Sequence, residues 1–273
     1  MRRFVALAGW LAVSAWGQDA REIVRRSIEL DQVNWLRMAD YTWVGRDHER
    51  HFDAHGRVTS DHREAWESLI LDGQPFRRML ERDGKPLPPD ELKKQQQKFD
   101  QATAKLEKES PAEKERRAAE YEKRRRRERA FLREIPDAFD LKLEGSDTID
   151  GQDVWVVSGT PKAGYRPKSR EAAALLKVRG KMWIEKKGYQ WVRVEGETTD
   201  TISFGVFLAR LHPGARLVFE QERVNDEVWL PKRFYVSGSG RIGLVKRLAE
   251  DDEITWNDYK KFRVESTLRP AGQ

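Results

Sequence analysis

Ile149-Asp150-Gly151-Gln152-Asp153-Val154-Trp155-Val156-Val157 (residues 149–157) sets a turn signal directly in front of a β-branched and aromatic run, and its reading decides the fold. The same alternation continues through the C-terminal half. Turn signals at Lys186-Lys187-Gly188, His212-Pro213-Gly214 and Asn225-Asp226 separate expected strands over Val154–Thr160, Lys181–Glu185, Gln190–Thr199, Arg216–Val224, Val228–Ser237 and Thr255–Val264. Loops this short join antiparallel neighbours, because parallel pairing needs a long crossover. Ser169–Leu176 interrupts the run as a short helix. The resulting fold class is mainly β (α+β), an incomplete antiparallel β-barrel or curved sheet with an N-terminal helix and a charged helical insertion.

Upstream, Tyr41–Glu81 reads as a hairpin and its extension. Tyr41-Thr42-Trp43-Val44 forms a strand, Asp53-Ala54-His55-Gly56 turns it, Arg57–Leu71 returns, and Phe76–Glu81 comes after the Asp72-Gly73 turn. Between this zone and the strand run lies a helical insertion, residues 90–134. Asp90 opens it after Pro88-Pro89, and Ser110-Pro111 restarts it as a second helix. Its apolar residues are too sparse for a central core. Ion pairs at helical spacing, Glu113–Arg117, Glu120–Arg124 and Glu122–Arg126, support it in water at about 0.2–0.5 kcal/mol each. Asp19–Met38 carries Ile23, Ile28, Leu30, Val33 and Leu36 at a loose helical period, an amphipathic helix expected to pack on the rest of the chain.

The extreme N-terminus points to export. Arg2 and Arg3 precede the apolar run Phe4–Trp16, and Ala15-Trp16-Gly17 offers small residues at the two positions a signal peptidase reads. A helix over that run is about 20 Å long, against roughly 30 Å of membrane hydrocarbon. Residues 1–17 are therefore expected to be a signal peptide cleaved after Gly17, leaving residues 18–273 as a single domain in the periplasm, not membrane-spanning. The chain has no cysteine, which excludes disulfides, thiolate metal sites, cysteine nucleophiles and an acylated N-terminal cysteine. The formal net charge of +6 falls to +4 without Arg2 and Arg3, and Pro111–Glu134 alone holds ten Lys/Arg against six Glu. The basic character thus belongs to one helix.

Several motifs have chemistry attached to them. Gly238-Ser239-Gly240-Arg241-Ile242-Gly243 has nucleotide-loop spacing, but its flanks are antiparallel and too short for a nucleotide-binding half, so it reads as a glycine-rich bend. His48, His51, His55 and His62 crowd one hairpin with Asp47, Asp53 and Asp61. His48 and His62 could face each other as half of a zinc or copper site, while His51 has the opposite strand parity. No metal site is assigned. Arg124–Arg127 with Arg129 reads as a solvated helix face, with an envelope protein or lipid head groups as the alternative partner of the basic helix Pro111–Glu134. Export argues against nucleic acid. Glu250-Asp251-Asp252-Glu253 reads as a turn between strands, and Glu195 and Glu197 share a strand face. Hydrolase signatures are missing, no catalytic residue is assigned and no cofactor is implied.

Aromatic residues carry the functional reading. Trp155, Trp183, Trp191, Phe204, Phe207, Phe219, Trp229, Phe234 and Tyr235 fall on nearly every C-terminal strand. Any one of them is ordinary core. Together they exceed what a thin sandwich needs, and on a curved sheet they would line a wide apolar pocket. The expected ligand-binding face comprises Trp155, Trp183, Trp191, Phe207, Phe219, Trp229 and Phe234.

With residues 149–157, three further stretches carry a family resemblance: Lys181-Met182-Trp183-Ile184-Glu185, Gly188-Tyr189-Gln190-Trp191-Val192-Arg193-Val194-Glu195 and Val228-Trp229-Leu230-Pro231-Lys232. In this order, after an export signal, a helix and a hairpin, the chain resembles the periplasmic lipoprotein-carrier superfamily with the LolA/LolB-like fold, which includes envelope sigma-factor regulators. The resemblance implies an incomplete barrel whose concave face holds lipid or lipoprotein acyl chains beneath a helical lid. The insertion 90–134 is longer than a simple carrier would need, and no lid residue of the family maps onto a position here. Two rival expectations stand beside the carrier: an envelope-stress regulator gripping a partner protein through the basic helix, and a metal-dependent enzyme using the histidine hairpin.

Overall fold

The computed structural model describes residues 19–53, 55–204, 209–242 and 246–261. The expected signal peptide lies outside them, as does Phe207. The strands are β1 (Tyr41–Phe52), β2 (Val58–Leu71), β3 (Gln74–Arg82), β4 (Lys85–Pro86), β5 (Phe139–Ile149), β6 (Gln152–Pro161), β7 (Val178–Glu185), β8 (Trp191–Thr198), β9 (Ile202–Phe204), β10 (Ala209–Leu211), β11 (Arg216–Val224), β12 (Val228–Ile242) and β13 (Lys246–Lys261). They form one curved sheet in the order β4-β3-β2-β1-β13-β12-β11-β8-β7-β6-β5, with β10 paired to β12 and β9 to β10. Every pairing is antiparallel. Among the described residues β4 and β5 do not meet, so the sheet is open.

Local chemistry explains the tight corners. Asp72-Gly73, Asp83-Gly84 and Asp150-Gly151 all place both residues at positive φ, between 47° and 77°. That is the backbone of a two-residue hairpin whose twist matches the strands it joins, and Asp-Gly tolerates it best. The long-range join is β1 with β13, in register from Tyr41↔Lys261 to Phe52↔Ala249. It ties the first hairpin to the end of the C-terminal strand run.

Two expectations about this region are overturned. The acidic run 250–253 lies inside β13, paired on one side with β1 and on the other with β12. Carboxylates disfavour strands only weakly, and two partner strands outweigh that preference. Gly238–Ile242 is likewise not a bend but the paired end of β12, with Gly243 outside the described residues.

Among the described residues there are five α-helices, α1 (Ala20–Arg37), α2 (Pro89–Glu107), α3 (Pro111–Glu128), α4 (Ile135–Ala138) and α5 (Arg170–Leu175), with short 3-10 turns at Met38–Asp40 and Ala130–Glu134. Helix α1 lies on one face of the sheet, here called inner, and touches β5, β7 and β12. Ile23, Val24 and Ile28 pack there with Phe139, Val157, Met182, Ile184 and Trp191. Helix α2 buries no residue and rests on β3 through Phe99, whose ring meets Phe76 edge-on at 5.2 Å between centroids. Helix α3 begins with a reciprocal cap: Ser110 N–H donates to Glu113 Oε2 at 2.8 Å, and Glu113 N–H donates to Ser110 Oγ at 3.4 Å. Of the expected ion pairs, Glu122–Arg126 forms at 3.9 Å. Arg117 turns instead to Glu109 and to Asp72 of the β2–β3 turn, anchoring the helical pair to the sheet.

The packing predicts a sharp contrast along α1. Ile28, 2% exposed, should lose about 2–5 kcal/mol of folding stability on Ile28→Ala. Leu36, 42% exposed, should change it by less than about 0.5 kcal/mol on Leu36→Ala. Urea unfolding followed by tryptophan fluorescence measures both.

Candidate functional site

The buried stripe of α1 is Ala20, Ile23, Val24, Ser27, Ile28, Asp31 and Asn34, a clean three-and-four spacing. Its first half is apolar. Its second half is polar, and the sequence pattern misplaces it: Val33 and Leu36 point to solvent while Asp31 and Asn34 go inward. Apolar periodicity ranks residues by hydrophobicity and is blind to a polar side chain that has a partner waiting.

Those partners come from three directions. Asp31 is ion-paired with Arg129, the residue that ends α3, and accepts a hydrogen bond from Gln221 Nε2 of β11 at 3.4 Å. Asn34 donates to Gln190 Oε1 and accepts from the Trp229 backbone N–H at 3.5 Å. Arg125 of α3 donates to the Trp35 carbonyl, and the guanidiniums of Arg125 and Arg129 sit 5.4 and 4.6 Å from the Trp35 ring. The basic run is therefore not wholly a solvated face, because Arg125 is 5% exposed and Arg129 is engaged by α1. Burial pushes the Asp31 carboxyl above its ordinary range, and the pulls of Arg129 and Gln221 offset this only in part. Ser27 Oγ and Gln221 Oε1 are buried in the same seam without a protein hydrogen-bond partner.

The expected aromatic face divides. Trp155, Trp191 and Phe219 join the inner core beneath α1, and Phe234 is the register partner of Phe219 on the next strand. Trp183 and Trp229 belong to a separate cluster with Val154, Val192 and Ile149. Strand parity is the signal that separates them, since Trp155 is opposite Ile184 while Trp183 is opposite Val156. Beneath the first half of α1 the inner face is closely packed. Beside the second half lies an open cleft of 560 Å³, where Leu30 and Val33 of α1 and Trp229 meet a mostly charged and polar wall that includes Arg37, Glu185 and Arg223.

The histidine hairpin is also rearranged. His48 lies opposite Arg63 and its ring contacts Asp61 at 3.2 Å, while His62 lies opposite Glu49, so His48 and His62 do not face each other. His51, by contrast, lies among two carboxylates at once. Its Nε2 is 2.6 Å from Glu49 Oε1, and its cross-strand partner is Glu250. One step along, burial and the neighbouring Asp47 carboxyl push Asp252 up to about 7.

The seam under α1 yields a pH-dependent test. Removing Arg129 strands a buried carboxylate, a loss of about 3–5 kcal/mol for a buried pair broken on one side. The folded Asp31 carboxyl already holds its proton more tightly than the unfolded one, so ionising it costs stability as pH rises. Arg129→Met should therefore destabilise strongly near neutrality and progressively less as the pH is lowered into the acid range, where Asp31 takes up its proton. Denaturant midpoints across that range check this.

No protein-family model matches the chain, and no curated protein matches it. Among solved structures it is similar to a DUF1329 family protein from Desulfovibrio piger, with 12% identity, 90% of this chain and 94% of that chain covered, and a TM-score of 0.31. A LolA superfamily protein from Nitrosomonas europaea aligns with 11% identity over 90% of this chain and 94% of its own, with a TM-score of 0.30. The MucA/MucB complex of Pseudomonas aeruginosa aligns with 11% identity over 86% and 99%, with a TM-score of 0.22. At these scores the fold is described by the strand order above and not by the likeness. Among the described residues, no helix is long and apolar enough to cross a membrane.

Proposed function

We propose that the protein is an exported carrier that binds the acyl chain of a lipid or lipoprotein, without covalent chemistry, between α1 and the inner face of the sheet. The observation that carries this reading is the divided stripe of α1. Its first half is fastened by apolar packing and its second half by polar contacts, beside a cleft in which Leu30, Val33 and Trp229 sit among charged residues. Lifting the second half breaks a few hydrogen bonds, each of net worth about 0.5–1.5 kcal/mol. An acyl chain gains about 0.8 kcal/mol per buried methylene, so about ten methylenes exceed that cost. Cargo enters by replacing α1 on the sheet and leaves when the polar contacts re-form.

A second reading, partner binding through the basic helix, keeps only the arginines that the seam does not use. Arg126 and Arg127 are exposed on α3. Arg126→Glu with Arg127→Glu leaves Arg125 and Arg129 in place, so lost capture of an envelope protein with lipid affinity intact would favour that reading.

The acyl-chain reading is tested on chain purified from the exported compartment. Mass spectrometry of its organic extract should recover lipid near one equivalent. After delipidation, a fluorescent fatty acid should bind, and Asn34→Ala should tighten its apparent affinity about tenfold by raising the open population. An empty extract, with no fluorescence response from either protein, overturns the proposal.

A further inference from the structure

Strand β1 sorts its side chains by parity. Arg46, His48 and Arg50 point to one face, and Asp47, Glu49 and His51 to the other. The first set finds partners: Arg50 makes two hydrogen bonds to Asp251 at 2.9 and 2.6 Å, and Arg46 donates to Asn257 at 2.8 Å. On the second face β13 contributes more acid. Register places Glu49 opposite Asp252 and His51 opposite Glu250, a two-by-two block of ligand-type residues on adjacent strands. Among the described residues, no Lys or Arg forms an ion pair with Asp47, Glu49, Glu250 or Asp252.

The donor atoms of Glu49, His51 and Glu250 converge, all lying within 4.8 Å of one another. The His51 side chain is 14% exposed and its Nε2 contacts Glu49. Nε2, the nitrogen that faces Glu49, is the one placed to give its lone pair to an ion shared with that carboxylate, and Nδ1 is buried without a protein hydrogen-bond partner. Asp47 Oδ1 and Asp252 Oδ1 are buried and unpartnered as well. Carboxylates directly opposite each other in a sheet repel, so this arrangement costs stability that a cation would restore. Two carboxylates with an imidazole nitrogen are not the all-oxygen set that calcium and magnesium take. Imidazole with carboxylate suits zinc and its neighbours.

We propose that Glu49, His51 and Glu250, with Asp252 beside them, bind a divalent transition-metal ion of the zinc type, joining β1 to β13. The site does not depend on the acyl-chain reading, since it lies on other strands from the cleft.

Calorimetric titration of the purified chain with zinc chloride should show one equivalent bound, with calcium chloride giving no comparable heat. His51→Ala should weaken zinc binding at least about tenfold. His48→Ala, on the opposite face, and His55→Ala, in the turn, should leave it unchanged. A melting experiment covers the case of a poorly folded variant: zinc should raise the melting temperature of the parent chain and not that of Glu250→Gln, and without metal Glu250→Gln should melt no lower than the parent. No zinc heat, equal affinity in His51→Ala, or a loss that tracks His48 instead would each overturn the assignment.

Discussion

The buried pairing of Asp31 with Arg129 holds three parts of the molecule together. Asp31 belongs to α1, Arg129 ends the charged helical arm, and Gln221, which also bonds Asp31, belongs to the middle of the sheet. A buried ion pair of this kind is a weak source of net stability, because desolvating both ions offsets most of their attraction. Its value is in geometry. It fixes where the arm meets α1 and where α1 meets β11, and it does so with groups whose grip is conditional. The arm is therefore part of the same closure as the N-terminal helix. Removing it whole would loosen α1 as well as any outside partner.

Legibility in the sequence divides along the range of the interaction. Turns and strands are local. Asp150-Gly151 specifies its hairpin through backbone conformation alone, and the β-branched run after it needs only a neighbouring strand; by the same local logic the bounds of Arg216–Val224 are legible to the residue. The burial of Asp31 and Asn34 is not local. It depends on Arg129, Gln221, Gln190 and the Trp229 backbone, none of which announces itself near α1. Composition assigns Val33 and Leu36 the inward role for that reason.

The same distinction explains the acidic run. Glu250–Glu253 has the composition of a loop, and nothing within ten residues argues otherwise. Only the pairing of β13 with β1, from the far end of the chain, turns it into a strand that alternates its carboxylates between faces. On one face Asp251 and Glu253 find Arg50 and Arg233. On the other, Glu250 and Asp252 meet Glu49, Asp47 and His51. Taken by spacing alone, the histidines of the hairpin suggest His48 with His62. Register selects His51, because parity and a distant strand, not closeness in sequence, decide which groups converge.

The division of α1 argues for motion over permanence. A leucine or isoleucine at positions 31 and 34, matched by apolar residues where Arg129, Gln221 and Gln190 now stand, would each add about 1.5–3 kcal/mol on burial. The helix would then be core along its whole length. Polar groups at those two positions make its second half easier to lift than its first, while Ile23, Val24 and Ile28 keep the helix attached. On the carrier reading proposed above, this asymmetry is what would let the helix uncover part of the sheet and return.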